Sequence, residues 1–325
     1  MVEESNYSWR DMPDDFRDST MEQCVRETGM EYGSAIFLES ARYGYYLDQL
    51  VRLAKRTAWT IQKQVCKGEF VPTGFETKFS VGDKVRLIGT VDRYDIYDGE
   101  DVRAVRIVDY KSGAKEFDLT EIYYGLSLQL VVYLDSIAHI EGAKHPDKQI
   151  VKAGMFYYHM QDPVLEDMPD KKEDLENELI SMLKMEGLAN ADPEVVEWMD
   201  GSVGKAPQIL PLNVNKDGSF SKNSSIATSE QLDDLGYFVS RRIDQLTDRW
   251  MSGDISKNPY LYIKGSRKRT ACDYCNYQGI CRFDERREGC DYHRLMHLSA
   301  NTVWERVYEE VKDTWEERGP KNSSR

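Results

Sequence analysis

The stretch between Gly89 and Gly113 decides the fold. It reads Gly89-Thr-Val-Asp-Arg-Tyr-Asp95, then Asp98-Gly99, then Val108-Asp-Tyr-Lys-Ser-Gly113. Alternating apolar residues on both sides of the Asp-Gly turn signal predict two β-strands. Because successive side chains of a strand point to opposite faces, Asp109 and Lys111 are expected to share a face. Each strand therefore delivers an acid, and the second adds a lysine.

A helical pattern follows the two strands. Leucine and isoleucine recur at helical spacing and predict a helix over residues 119–140, in which Gln129 and Tyr133 lie one turn apart. Residues 153–158 predict a further strand. Elements in this order indicate an α/β protein with a mixed sheet flanked by helices, and with the polar residues at one edge of the sheet.

These residue types suit metal-assisted hydrolysis of a phosphodiester. Asp92 and Asp109 could supply oxygen ligands to Mg²⁺, which binds one or two carboxylates and keeps several waters. Lys111 could stabilise charge on the attacking water and on the phosphate. Gln129 and Tyr133 could orient water, metal ligands or the DNA backbone.

Each of these elements also has an ordinary explanation when taken alone. A single aspartate at a strand end is usually a solvated cap, and Asp-Tyr-Lys-Ser-Gly alone reads as a hairpin. The ordered combination is much less common, and the prediction therefore depends on the whole set. Glu76 is a further candidate ligand, although an exposed strand residue is the more frequent explanation.

Six cysteines occur in the chain, and three of them form a C-x2-C-x5-C cluster: Cys272, Cys275 and Cys281. Thiolates at this spacing suit a tetrahedral zinc or an iron–sulfur cluster, and one ligand remains to be found. Cys24 is a candidate for it, with a buried thiol as the alternative, and Cys290 is a second candidate.

Composition limits the class of protein. With 325 residues, 40% of them hydrophobic and 31% charged, the chain predicts a folded globular protein. It has no apolar run of the roughly 20 residues that a membrane span needs, and no secretory signal opens it. The expected location is the cytoplasm, with no membrane partner.

The net charge of −14 argues against nucleic-acid affinity spread over the whole surface. Contact with DNA is therefore expected to be local. A basic run before the cysteine cluster is the candidate, with a solvated loop as the alternative: Lys264, Arg267, Lys268 and Arg269.

The Gly-x-x-Asp-Arg-x-Asp, Asp-Tyr-Lys-Ser-Gly and Gln-Leu-x-x-Tyr elements together resemble the RecB-like branch of the PD-(D/E)XK nuclease superfamily. Over about residues 20–300 the chain also resembles the nuclease end of the AddB (RexB) family, through residues 118–129, 188–200, 217–222 and the C-terminal cysteines. The resemblance implies that Asp92 and Asp109 bind the metal, that Lys111 is the catalytic lysine, and that Gln129 and Tyr133 form the helix motif that follows.

The resemblance also implies a role in an ATP-dependent helicase–nuclease that resects double-strand breaks for recombination together with an AddA-type subunit. Within it, the nuclease cuts one unwound strand, and exonuclease action on single strands is expected. The chain has no Gly-x4-Gly-Lys-Ser/Thr phosphate loop, so ATP hydrolysis is expected from the partner or from another part of the protein.

In the family, a distant upstream cysteine completes a [4Fe-4S] cluster, and an upstream histidine binds the metal. Here all five histidines follow Asp92. We therefore expect the chain to be an N-terminally truncated piece of a longer protein, with the fourth cluster cysteine outside it and zinc the less favoured metal.

The sequence predicts six segments. They are a disordered lead-in (1–18), a helical N-terminal region (19–68), the nuclease core (69–163), an insertion with helices and a hairpin (164–228), a long helix with the cysteine region (229–300), and a C-terminal helix and tail (301–325).

Two rival functions remain open on the sequence. The first is a stand-alone Cas4-like iron–sulfur nuclease, which needs Cys24 as a ligand and a nearby histidine. The second is a non-catalytic DNA-binding module stabilised by its cysteines, and the intact Asp92, Asp109 and Lys111 argue against it.

Overall fold

The computed structural model describes residues 7–33, 41–82, 85–165, 171–201, 207–215, 217, 219–221 and 224–314. The chain divides into two compact units. The first comprises residues 1–117 and 133–232, and the second comprises residues 118–132 and 233–325.

Two helices open the first unit, α1 (Asp14–Gly33) and α2 (Ala41–Lys67). The prediction of a disordered lead-in is wrong for residues 7–18, because Trp9 and Met12 are buried and α1 already begins at Asp14. Trp9 packs against Ile61 and Val65 of α2, so this short segment is fixed by apolar contact.

The first unit contains a mixed sheet that has six strands in the described part of the chain, in the order β1-β2-β3-β4-β5-β6. All pairs of neighbours are antiparallel except β3–β4 and β5–β6, which are parallel. The predicted mixed α/β sheet is confirmed. The strands are β1 (Val71–Val81), β2 (Leu87–Asp98), β3 (Val102–Lys111), β4 (Gln149–His159), β5 (Glu186–Asn190) and β6 (Ile226–Ala227).

The sequence had predicted residues 164–228 to be an insertion with helices and a hairpin, but part of this segment belongs to the sheet. The segment supplies β5 and β6, together with the two predicted short helices, α5 (Lys172–Met182) and α6 (Pro193–Met199). Asp192 caps α6 by accepting a hydrogen bond from the amide of Glu194. The predicted hairpin is present as a bridge between Val214 and Phe220.

The single helix predicted over residues 119–140 is two helices, α3 (Leu119–Tyr123) and α4 (Gln129–Lys144). Asp118 caps α3, and Gly125 ends it with a φ of 78°, a left-handed conformation that favours glycine. The leucine periodicity runs through this break, which is why the sequence pattern concealed it.

The second unit contains most of the predicted long helix, α7 (Ser229–Met251). A small sheet that the sequence did not predict follows, in the order β8-β7-β9. Its strands are β7 (Tyr260–Lys264), β8 (Arg267–Thr270) and β9 (His293–Met296), with the short helix α8 (Gln278–Cys281) between β8 and β9.

The predicted C-terminal helix begins one residue after its Ser299 cap as α9 (Ala300–Val311). It continues as a 3₁₀ turn over Lys312–Thr314, and the remainder of the predicted helix and tail lies outside the described residues. Across the described ranges, no helix is both long enough and apolar enough to cross a membrane.

Candidate active site

The two acids predicted as metal ligands lie opposite each other on neighbouring strands. Arg93 of β2 pairs with Val108 of β3 in antiparallel register. The next position along that register brings Asp92 opposite Asp109. Directly opposite side chains lie on the same face of a sheet, so both carboxylates are on one face.

Protein contacts fix both acids. The backbone amide of Tyr110 donates a hydrogen bond to Oδ2 of Asp92 at 2.9 Å. Asp109 is buried, and its Oδ2 lies 2.5 Å from Nζ of Lys111. The predicted grouping of Asp109 with Lys111 is therefore present as an ion pair, and Lys111 keeps part of its side chain exposed.

The electrostatics of the site favour an added cation. Burial raises the pKa of Asp109 above its ordinary value, and the negative charge of Asp92 raises it further, although Lys111 acts in the opposite direction. Burial alone would lower the pKa of Lys111, but its contact with Asp109 outweighs burial and the pKa is raised. Lys111 therefore keeps its positive charge, while the carboxylates of Asp92 and Asp109 repel each other beside it.

Two carboxylates facing each other across a strand pair are a donor set that suits Mg²⁺, whose remaining ligands are commonly waters. The described part of the chain contains no group of three or more histidine, cysteine, aspartate or glutamate side chains that could hold a metal ion. The fit to Mg²⁺ therefore depends on Asp92 and Asp109 alone.

A buried charge network lies on the opposite face of the same strands. Arg93, Asp95 and Arg106 are fully buried, and Asp95 accepts hydrogen bonds from both arginines at 2.6–2.7 Å. Arg93 also donates to the hydroxyl of Tyr110 at 3.2 Å. The sequence identified this Asp-Arg-x-Asp pattern but did not predict that Arg106 completes the network.

Tyr133 lies on α4 in the first unit and is mostly buried, with its ring edge-on to Phe79 at 5.5 Å. Gly89 leaves room for the Phe79 ring, because a Cβ at that position would lie 2.6 Å from it. Gln129 is the first residue of α4 and belongs to the second unit. Their predicted roles in orienting water or DNA stay predictions.

Sequence reasoning missed His159, which lies beside Lys111. β3 and β4 pair in parallel, and Lys111 is the register partner of His159. Both line a cleft of about 420 Å³, whose other lining residues are Ser112, Gly113, Ala114, Glu116, Met160, Gln161 and Glu186. No local spacing marks His159, because only the pairing of two strands far apart in sequence brings it here.

The basic run lies in the β7–β8 hairpin of the second unit. Lys264 lies 3.1 Å from Asp118, and Arg269 lies 2.7 Å from Glu121, so both are ion-paired within the unit. Arg267 and Lys268 are exposed. DNA contact by the run stays a prediction.

The clustered cysteines lie in the second unit after β8. All six cysteines of the chain are free thiols, and Cys275 is exposed, while Cys272 and Cys281 are partly exposed. The amide of Tyr277 donates to Sγ of Cys275 at 3.4 Å. Cys24 lies in α1 of the first unit and lines an apolar cleft of about 620 Å³. The absence of a metal-holding group among the described residues includes the three clustered thiols, so the predicted metal cluster stays a prediction.

A mixed sheet that presents two acids and a lysine on adjacent strands defines the class: an α/β enzyme of the nuclease type. The chain belongs to the PD-(D/E)XK nuclease superfamily, whose family model matches residues 9–282.

Curated relatives extend the match over nearly the whole chain, and each is named as a subunit of an ATP-dependent helicase/deoxyribonuclease. Identity to the relative in Lachnoclostridium phytofermentans is 35%, over 95% of this chain and 27% of the relative. In Alkaliphilus metalliredigens it is 35%, over 93% of this chain and 27% of that relative. In Clostridium novyi it is 34%, over 97% of this chain and 29% of that relative. The chain thus spans less than a third of the length of the relatives that it matches.

Proposed function

We propose that this chain is a magnesium-dependent deoxyribonuclease domain that hydrolyses phosphodiester bonds. One observation carries the proposal: Asp92 and Asp109 face each other on β2 and β3, and Lys111 is ion-paired to Asp109. Membership of a nuclease superfamily supports the reaction class.

Each residue of the site is proposed to have a separate role. Asp92 and Asp109 would hold Mg²⁺, which when bound lowers the pKa of a coordinated water and polarises the phosphate. The amide of Tyr110 donates to Oδ2 of Asp92 and so holds the carboxylate in one orientation. The other oxygen of Asp92, Oδ1, is thereby held in a fixed direction. Lys111 presents a positive charge to the cleft and is placed to stabilise negative charge on the phosphate. Gln129 and Tyr133 are proposed to orient water or the DNA backbone from α4.

We further propose that the domain acts exonucleolytically on single-stranded DNA as part of a helicase–nuclease, with an AddA-type subunit as partner. The support is the name of the relatives, which are subunits of an ATP-dependent helicase/deoxyribonuclease, and the match along 93–97% of this chain. The proposed role is the repair of double-strand breaks by recombination. The proposed location is the cytoplasm, where the chromosome lies.

For the cysteines we propose a [4Fe-4S] cluster with Cys272, Cys275 and Cys281 as three of its ligands. The support is their spacing, their free thiol state and their accessibility. The fourth ligand is proposed to lie outside this chain.

The test uses the purified chain, reconstituted with iron under anaerobic conditions and incubated with end-labelled single-stranded DNA and Mg²⁺. Asp109→Ala and Lys111→Ala are compared with the wild type, and Asp98→Ala serves as the matched control. Asp98 is an exposed acid on the same strand as Asp92, paired with Lys148 and Arg103. A circular single strand is included, since an exonuclease needs an end.

The expected result is cleavage of the linear strand by the wild type and by Asp98→Ala, and little cleavage by the other two variants. Equal cleavage by all four proteins would overturn the site assignment. Cleavage of the circle at the rate of the linear strand would overturn the exonuclease proposal alone. DNA binding without cleavage by any of the four would favour a binding module.

A further inference from the structure

The loop that follows Lys111, residues 112–117, is tied at both ends by one histidine–glutamate pair. Nδ1 of His159 lies 3.1 Å from the carbonyl oxygen of Gly113, at the start of the loop. Nε2 of His159 lies 3.1 Å from Oε2 of Glu186. The amide of Phe117, at the end of the loop, donates to Oε1 of the same glutamate at 2.7 Å. The pair thus joins β4 and β5 to the loop that leaves the catalytic strand.

The geometry selects one protonation state of the imidazole. Both ring nitrogens face oxygen acceptors, a carbonyl and a carboxylate. A neutral imidazole carries a single N–H and can satisfy only one of them, so its other nitrogen would direct a lone pair at an oxygen. The imidazolium form donates to both, and its hydrogen bond to the carboxylate is charge-assisted.

The charged groups that line the cleft around His159 come from three elements. Glu186 on β5 and Glu116 in the loop are acidic, and Lys111 on β3 is basic. Lys111 is itself ion-paired to Asp109 and lies 5.3 Å from the ring centre of Tyr157. The acceptors that contact His159 directly are therefore the oxygens of Glu186 and Gly113.

We propose that His159, as an imidazolium held by Glu186, is a positioning residue that fixes the 112–117 loop as the wall of the cleft beside Lys111. The proposal rests on the proposed function, because the position of this loop affects cleavage only if Lys111, which it borders, acts in catalysis. Loss of the proton removes one of the two imidazole contacts, so the wall loosens as the pH rises.

Glu186→Gln separates this proposal from a simple structural role. The carboxamide oxygen can still accept from the amide of Phe117, and the carboxamide nitrogen can donate to a neutral imidazole nitrogen. The other ring nitrogen then donates to Gly113. All three contacts are satisfied without the extra proton, so this variant is expected to hold the loop at high pH.

The experiment is amide hydrogen exchange of the peptide covering residues 112–117 in the full chain at pH 6 and pH 8, expressed as protection factors that correct for the intrinsic effect of pH. In the wild type, protection is expected to fall about five- to tenfold between the two values, which corresponds to one lost hydrogen bond. Protection in Glu186→Gln is expected to be at least as high at pH 8 as at pH 6. His159→Gln is expected to have low protection at both values, and the control His139→Gln, an exposed histidine of α4, is expected to behave like the wild type.

A second readout is the pH profile of DNA cleavage. The wild type is expected to lose kcat on the alkaline side, and Glu186→Gln is expected to lack that decline. If Glu186→Gln keeps the pH response of the wild type in hydrogen exchange, or if His159→Gln keeps wild-type protection, the proposal is overturned. Failure of the proposed nuclease function is a different result, since it abolishes the difference in cleavage between wild type and Asp109→Ala but leaves the exchange data intact.

Discussion

The backbone amide of Tyr110 donates to Oδ2 of Asp92, 2.9 Å away on the neighbouring strand. The hydroxyl of the same tyrosine accepts a hydrogen bond from Arg93 at 3.2 Å, on the other face of the sheet. Tyr110 stands between Asp109 and Lys111 in sequence, so one residue joins the acid of β2 to the acid and lysine of β3. This link fixes the separation of the two carboxylates before any metal binds.

Metal binding is expected to stabilise the protein through Asp109. Burial and the charge of Asp92 raise its pKa in the folded state, so the folded protein binds more protons than the unfolded one between the unfolded and folded pKa values. The free energy of unfolding therefore falls as the pH rises through that window, and the metal-free protein remains less stable above it. Mg²⁺ at about 100 times its Kd should restore roughly 2.7 kcal/mol, measured as a rise in the melting temperature at pH 7.5.

Asp109→Asn is the matched variant, since it keeps the shape and removes the charge. Its melting temperature without metal is expected to equal or exceed that of the wild type, and Mg²⁺ is expected to shift it little. A shift equal to that of the wild type would show that the metal binds elsewhere.

The buried network of Arg93, Asp95 and Arg106 should dominate stability on the other face of the sheet. Asp95→Asn would leave two buried arginines without a counter-charge, and breaking such a network by removing one partner costs about 3–5 kcal/mol. Chemical denaturation measures the loss. Asp98→Asn, on the same strand but half exposed, is expected to cost at most about 1 kcal/mol.

The same network predicts a response to acid. Burial alone would raise the pKa of Asp95, but Arg93 and Arg106 outweigh it and the pKa is lowered. The stabilisation is complete above the unfolded-state pKa and is lost as the pH falls towards the folded-state value. Asp95→Asn should therefore show a shallower loss of stability in acid than the wild type, and an equally steep loss would contradict the assignment.

How much the sequence could predict follows from the range of each interaction. β2 and β3 join through a short turn in which the amide of Gly99 donates to the carbonyl of Val102, so local alternation was enough to predict the two strands that carry Asp92 and Asp109. β3 and β4 pair only after a crossover through residues 112–148, and β5 joins later still. Because no local pattern specifies such pairings, neither the position of His159 beside Lys111 nor its contact with Glu186 was predictable.

The cysteine cluster gives a prediction that is independent of catalysis. Cys275→Ser is expected to abolish the broad absorbance near 400 nm of the iron-reconstituted protein, since an iron–sulfur cluster absorbs there and zinc does not. Cys66→Ser, an exposed thiol on α2 of the first unit, is the control and should keep the absorbance. Absorbance that survives Cys275→Ser would contradict the assignment.

Lys111→Met should separate metal binding from chemistry. The ammonium group of Lys111 lies 2.5 Å from Oδ2 of Asp109, so it competes with a metal cation for that carboxylate and repels the metal electrostatically. Removing it is expected to tighten Mg²⁺ binding about two- to tenfold, measured by calorimetry. It should nevertheless lower the cleavage rate about 10²–10³-fold, because a charge that stabilises the transition state is lost. Lys111→Arg keeps a positive charge but not a compact ammonium, so it should bind Mg²⁺ like the wild type and recover only part of the rate. Weaker metal binding by Lys111→Met would instead show that the lysine helps to build the metal site, and that its pairing with Asp109 serves to orient the carboxylate.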